Sequence, residues 1–145
     1  MTKIKKQASV GYSAEQMYAL VNDIKNYPEF LPWCTKTDIL QQNEDSLTAS
    51  VSISMGKIKQ NFTTRNVMKM NDSIYMRLVE GPFKELTGHW QFHDDDSGKC
   101  HVSLDMQFEF KNKIIKHAFG AAFKKITDSM VDAFIERANV VYGNG

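Results

Sequence analysis

A protein that does chemistry needs groups that exchange protons, attack carbon or hold metal, and this sequence offers few in usable arrangements. His89, His93 and His101 alternate with Trp90, Phe92 and Val102. Together with Asp105 they therefore fall on the strand face opposite Trp90 and Leu104, the face expected in solvent. His93 is expected across a hairpin from His101, but two exposed imidazoles make a poor metal site. His117 sits near the start of a helical stretch with no obvious partner, as a surface or rim residue would. Cys34 and Cys100 have neither metal-binding nor redox spacing and are expected as buried thiols. There is no Gly-x-Ser-x-Gly elbow, no phosphate-binding glycine loop and no His-Glu-x-x-His. The expectation is a protein with no catalytic residue, no metal and no cofactor.

What the sequence does offer is recognition chemistry, in three places. The first is Tyr27-Pro-Glu-Phe-Leu-Pro-Trp-Cys34. Pro28 can start a short helical turn and Pro32 biases Leu31 out of it, which predicts a rigid turn carrying Tyr27, Phe30, Leu31 and Trp33. Such a turn either plugs one end of a core or acts as a lid, with Pro32 at its bend. Phe83, in Gly81-Pro82-Phe83, is either the opposing lip or a packed turn residue. The second place is a set of polar residues, Thr35, Thr37, Gln60, Thr64 and Asn66, on the strand face that also carries Val51, Ile53 and Phe62. A buried polar group left unpaired costs about 1–3 kcal/mol, so these residues bond one another or water, or they meet the polar head of a ligand. Glu80 and Arg65 are weaker candidates. The third is Lys111, Lys113 and Lys116 at a helix start, where the macrodipole disfavours cations. Lys124 and Lys125 add charge further along. The lysines form either a solvated face or a contact for an anionic surface.

The elements that position these groups follow from periodicity. Ile115, Phe119, Ala122, Ile126, Met130, Phe134, Ala138 and Val141 recur at three- and four-residue steps, which predicts one helix over Asn112–Tyr142. Phe123, Val131 and Ile135 widen its stripe, Asn112 can cap its start and Gly143 can end it. A helix of about 45 Å needs a broad partner, and upstream the pattern is almost all strand. Ile4–Gly11 alternates; Ser13 with Gln16 makes a capping box before a short helix at about 14–21 that turns Met17, Leu20 and Val21 inward. Leu47–Met55 alternates cleanly, and Gly56-Lys57 fits a two-residue hairpin loop. That loop pairs Met55 with Ile58, Ile53 with Gln60, Val51 with Phe62 and Ala49 with Thr64. Further strands carry Ile74, Met76 and Leu78, then Leu86, Trp90 and Phe92, then Val102–Phe110, with Phe92 opposite Val102 and Trp90 opposite Leu104. The economical packing is α+β, a curved antiparallel sheet of about seven strands around one long helix, all in one domain spanning residues 1–145. A cavity is expected between them, walled by Phe62, Met76, Leu78, Trp90, Phe108, Phe119, Phe123 and Met130, with Thr37, Gln60, Thr64 and Asn66 as its polar lining.

Composition bounds the partners. Charged residues make up 24% of the chain and the net charge is +1, which argues against a globally basic DNA binder. No run of 18 apolar residues occurs, and Met1–Tyr12 lacks the apolar stretch of a signal peptide. The expected location is the cytoplasm, with peripheral contact at the inner membrane. Eight methionines suit an irregular core or an apolar cavity equally.

The element order, with Tyr27–Cys34, Glu80-Gly-Pro-Phe-Lys-Glu-Leu-Thr-Gly-His-Trp-Gln-Phe92 and Ala133-Phe-Ile-Glu-Arg-Ala138, resembles the START-like helix-grip (SRPBCC) superfamily. Within it, the chain is similar to the coenzyme Q-binding START-domain family, whose bacterial branch is also called the ribosome-association toxin family or oligoketide cyclase/lipid transport protein. The resemblance covers nearly the whole chain. It implies binding and transport of a long apolar ligand, ubiquinone in support of respiration, held as a ligand and not as a redox cofactor. It equally implies a toxin that docks on the large ribosomal subunit and blocks subunit joining. A polyketide cyclase or aromatase is a third implication, for which no acid/base pair stands out on the concave face.

Overall fold

The hairpin built on Gly56-Lys57 forms in the expected register. In the computed structural model, which describes residues 1–143, Met55 lies opposite Ile58, Ile53 opposite Gln60, Val51 opposite Phe62 and Ala49 opposite Thr64. Alternation sets the pairing here, because a slip of one residue would turn every apolar side chain to solvent. Seven strands form among the described residues: β1 (Thr2–Val10), β2 (Cys34–Gln42), β3 (Ser46–Met55), β4 (Ile58–Lys69), β5 (Ser73–Glu80), β6 (Phe83–Asp94) and β7 (Cys100–Phe110). They make one antiparallel sheet in the order β1-β7-β6-β5-β4-β3-β2. Phe92 opposes Val102, Trp90 opposes Leu104 and His93 opposes His101, as the alternation predicts.

Between β1 and β2 run helix α1 (Ala14–Asn22) and a short 3-10 helix (Ile24–Glu29). The capping box at α1 is complete: Ser13 Oγ accepts from the Gln16 amide (3.1 Å), and Gln16 Oε1 accepts from the Ser13 amide (2.9 Å). α1 buries Ala14, Met17, Tyr18 and Val21, while Leu20 is only half-buried. The long helix α2 (Lys113–Tyr142) starts at Asn112, whose Oδ1 accepts from the Ile115 amide (2.8 Å). The curved sheet grips this helix, so the protein is an α+β helix-grip fold. Asn144 and Gly145, the end of the expected domain, lie outside the described residues.

Two departures from the helical stripe have local causes. Val141 is exposed, because the last turn of α2 anchors through Tyr142, whose hydroxyl donates to the Gln16 carbonyl (3.1 Å) and whose ring meets Tyr12 at 5.8 Å. Thr127, absent from the apolar pattern, is fully buried, with its hydroxyl returned to the Phe123 and Lys124 carbonyls (3.1 and 3.0 Å).

Candidate functional site: a cavity between sheet and helix

The concave face of β3–β7 and the middle of α2 enclose a cavity of about 60 Å³. Its walls include Val51, Ile53, Phe62, Met76, Leu86, Trp90, Met106, Phe123, Ile126, Met130 and Phe134, and Ile24, Tyr27 and Trp33 close one end. Thr64 and Asn66 are its polar lining. Both are buried, and Thr64 Oγ1 donates to Asn66 Oδ1 at 3.0 Å. A single water takes roughly 10–15 Å³ of such space, so the closed cavity holds a few waters and is far below the ~300–1,000 Å³ of ordinary ligand pockets.

Outside it lies an open groove of about 500 Å³ between the aromatic turn and α2, lined by Phe30, Leu31, Pro32 and Trp33 on one side and by Ser129, Asp132, Ala133, Glu136, Arg137 and Val140 on the other. Trp33 is the one side chain among the described residues that lines both spaces. The turn is pinned from behind. Leu31 is fully buried. Tyr27 and Phe30 each meet Phe134 edge-on at 5.4 Å, and the Tyr27 hydroxyl donates to the Val21 carbonyl. Arg137 reaches across from α2, its Nη2 donating to Glu29 Oε2 (3.1 Å) and its guanidinium lying 4.9 Å from the Phe30 ring centre. Trp33 itself is half-buried and Pro32 exposed.

Several expected site residues sit elsewhere. Phe108 and Phe119 do not reach the cavity. They join Phe83, Phe110 and Phe123 in a phenylalanine cluster, with Phe83 at 4.8 Å from Phe123, 5.2 Å from Phe110 and 6.2 Å from both Phe108 and Phe119. Phe83 is thus the buried centre of this cluster and not a lip at the mouth. The tight turn before it explains why: Gly81 has φ of 155°, and a Cβ there would stand 2.6 Å from Phe62 Cβ, so only glycine lets the chain fold Phe83 inward. Leu78 stays half-buried beside Gly81, outside the cavity. A bulge between Cys34 and Lys36 turns Thr35 outward, where it donates to the Ser52 carbonyl (3.4 Å). Thr37 is spent on the Ile24 carbonyl (3.1 Å). Gln60 keeps its expected parity but lies near the hairpin end, in an open groove with Thr35, Ser54 and Lys59.

Met106, Leu86 and Ile126 also line the cavity, although they are not among the walls expected from the sequence. Their signal was present in the alternation of β6 and β7 and in the helical stripe. Gly88 was also missed. A glycine inside a strand marks close backbone approach, and here a Cβ would meet Met76 Cε at 2.5 Å.

The electrostatics are those of a largely apolar site. Tyr27 is the one titratable group among the described residues lining the cavity, and burial drives its phenol far above the ordinary range. Burial likewise pushes the Cys34 thiol up to about 11. On the outer face, His101 Nε2 pairs with Gln7 Oε1 at 2.9 Å. Lys111, Lys113 and Lys116 are exposed, and none has a carboxylate within ion-pair distance among the described residues. Lys124, by contrast, pairs with Asp128 at 3.6 Å.

Residues 10–135 match the family described as polyketide cyclase / dehydrase and lipid transport. The chain belongs to that family. Among its relatives, the protein named "Ribosome association toxin RatA" of Escherichia coli is 48% identical over 98% of this chain and 90% of its own length. The "Coenzyme Q-binding protein COQ10 homolog B, mitochondrial" of Xenopus laevis is 27% identical over 92% of this chain and 57% of its own length. The aromatase/cyclase Zhui of a Streptomyces species superposes with a TM-score of 0.85 at 14% identity, covering 99% of this chain and 98% of that one, a likeness of fold. Relatives and fold neighbours thus carry toxin, quinone-binding and cyclase names. No helix among the described residues is long and apolar enough to cross a membrane.

Proposed function

We propose that this protein binds one long apolar molecule without transforming it, and that ubiquinone is the expected ligand. The observation that carries this reading is the shared wall. Trp33 lines both the 60 Å³ cavity and the 500 Å³ groove, and a movement of its indole that joined them would bring the space into the ligand range of ~300–1,000 Å³. Met76, Met106 and Met130 in the walls are adaptable side chains that can repack around a guest. Desolvation of an isoprenoid tail supplies affinity at about 25 cal/mol per Å² buried, less the ordering cost. No carboxylate, histidine or lysine lines the inner cavity among the described residues; the carboxylates of Asp132 and Glu136 lie in the outer groove. The quinone-binding name of the Xenopus relative supports the same reading. Titrating Trp33 and Trp90 fluorescence with ubiquinone analogues of increasing tail length should show affinity rising with length. Absence of binding, or affinity independent of length, removes the proposal.

A second reading is favoured by the 48% identity to a ribosome association toxin over 98% of the chain: docking on the large ribosomal subunit, which would block subunit joining. The unpaired Lys111, Lys113 and Lys116 are the surface we propose for a polyanionic partner in either case. Uptake of an apolar cargo requires contact with the phase that dissolves it, so we favour the bilayer, from a cytoplasmic protein peripheral to the inner membrane. Replacing all three lysines by Gln should then weaken binding to anionic vesicles by about 1 kcal/mol per charge, with subunit joining unaffected. Loss of co-sedimentation with the large subunit in the same variant would establish the ribosomal reading instead. A variant equal to the parent in both assays leaves the lysines as solvated surface.

A further inference from the structure

Within the ligand-binding reading above, on which this inference rests, the cavity contains an unusual polar residue. Asn66 is 2% exposed and lines the cavity. Its side chain makes one hydrogen bond, accepted at Oδ1 from Thr64 Oγ1 (3.0 Å). No hydrogen bond from Nδ2 to another described residue accompanies it, and Nδ2 is not among the fully buried unpaired atoms, so it keeps access to the cavity space. Trp90 (2% exposed), a second N–H bearer, lines the same cavity. In so apolar a cavity only water or a ligand can accept from the Asn66 amide, a demand that an apolar residue of similar size would not make. Around these groups the walls are Val51, Phe62, Met76 and Phe123, which offer nothing to accept a proton.

We propose that Asn66 Nδ2 is the head-group anchor of the site and donates a hydrogen bond to a carbonyl oxygen of the bound ligand, with Thr64 as the positioning residue. Thr64 occupies the carboxamide oxygen, so the NH2 is the end of the amide left for a ligand. The site therefore selects molecules with a carbonyl acceptor at one end of an apolar chain: prenyl quinones, ketones or esters, in preference to plain hydrocarbons. Trp90 supplies a second donor two strands away, suited to a head carrying a second oxygen.

The test compares geranylacetone, a prenyl ketone, with the hydrocarbon of the same skeleton, by tryptophan fluorescence on the parent and on Asn66→Leu. In the parent the ketone should bind about 2- to 10-fold more tightly, the worth of one net neutral hydrogen bond. In Asn66→Leu that advantage, read as the ratio of ketone to hydrocarbon affinity, should vanish. A ketone advantage that survives the substitution, or none in the parent, overturns the assignment. Should Asn66→Leu fail to fold, the side-chain amide resonances of Asn66 in the parent protein decide the matter. They should move on adding ketone and stay put with hydrocarbon, and resonances unmoved by ketone overturn the assignment. If neither compound binds, the ligand-binding reading itself fails and takes the anchor with it.

Discussion

Arg137 is the residue through which the proposed gate at Trp33 can be loosened without touching the cavity. It holds the aromatic turn to α2 by two interactions whose sizes can be read from the geometry. The Glu29 pair is short at 3.1 Å, but the Glu29 side chain is 61% exposed, so the ion pair contributes only about 0.5 kcal/mol. The guanidinium, itself 23% exposed and 4.9 Å from the Phe30 ring centre, adds about 1 kcal/mol more by cation–π attraction. Arg137→Ala therefore releases about 1–2 kcal/mol of latch, a factor of roughly 5–30 in the open population. If ligand passes Trp33, both association and dissociation rates of a short-tailed quinone analogue should rise by that factor. The dissociation constant should change little, because the gate recloses over bound ligand. Stopped-flow tryptophan fluorescence reads the rates, and the melting temperature should fall by ~2–8 °C. Glu29→Gln keeps the cation–π contact and should give about a twofold effect. Salt at 1 M, where the screening length is ~3 Å, should imitate it in the parent. A variant with the expected loss of melting temperature but unchanged rates refutes the gate, and with it the passage between groove and cavity.

Phe83→Ala should cost about 3–5 kcal/mol in urea unfolding, as loss of a buried ring does; a small stability loss with a large affinity loss would mark Phe83 as a lip after all. Gly88→Ala should fold, because the atom 2.5 Å from the new Cβ is the mobile end of Met76, at an overpacking cost of ~1 kcal/mol. The displaced thioether should weaken ligand binding, and unchanged affinity would mean that the 60 Å³ cavity is not the ligand seat. Stability should fall as pH rises from 9 toward 11. Over that range the unfolded Cys34 thiol ionises from its ordinary value of 9.0 while the folded one, pushed up to about 11, keeps its proton. The unfolded state then binds fewer protons, and Tyr27, also raised by burial, extends the decline. Urea midpoints at pH 8 to 11 measure it; a flat profile would contradict the burial of both groups.

Some of this was determined locally. Strand parity and a two-residue loop set the β3–β4 register, since a one-residue slip inverts every face. The Ser13–Gln16 box and the Asn112 cap were legible because a cap involves residues three apart. What parity cannot supply is depth. It assigns Gln60 and Asn66 to one face, but only the placement of α2 decides that Asn66 is enclosed and Gln60 lies in an open groove. Nor does it show where a face is already occupied: Phe108 and Phe119 point inward as expected, yet Phe83 folds in beside them. The bulge at Thr35 breaks the parity outright, because one unpaired residue reverses the alternation. The Arg137–Glu29 latch spans 108 residues of sequence and has no periodic signature. Size, closure and gating of the cavity belong to the tertiary structure, because they depend on how far side chains from distant elements interpenetrate, and a one-dimensional pattern carries direction without distance.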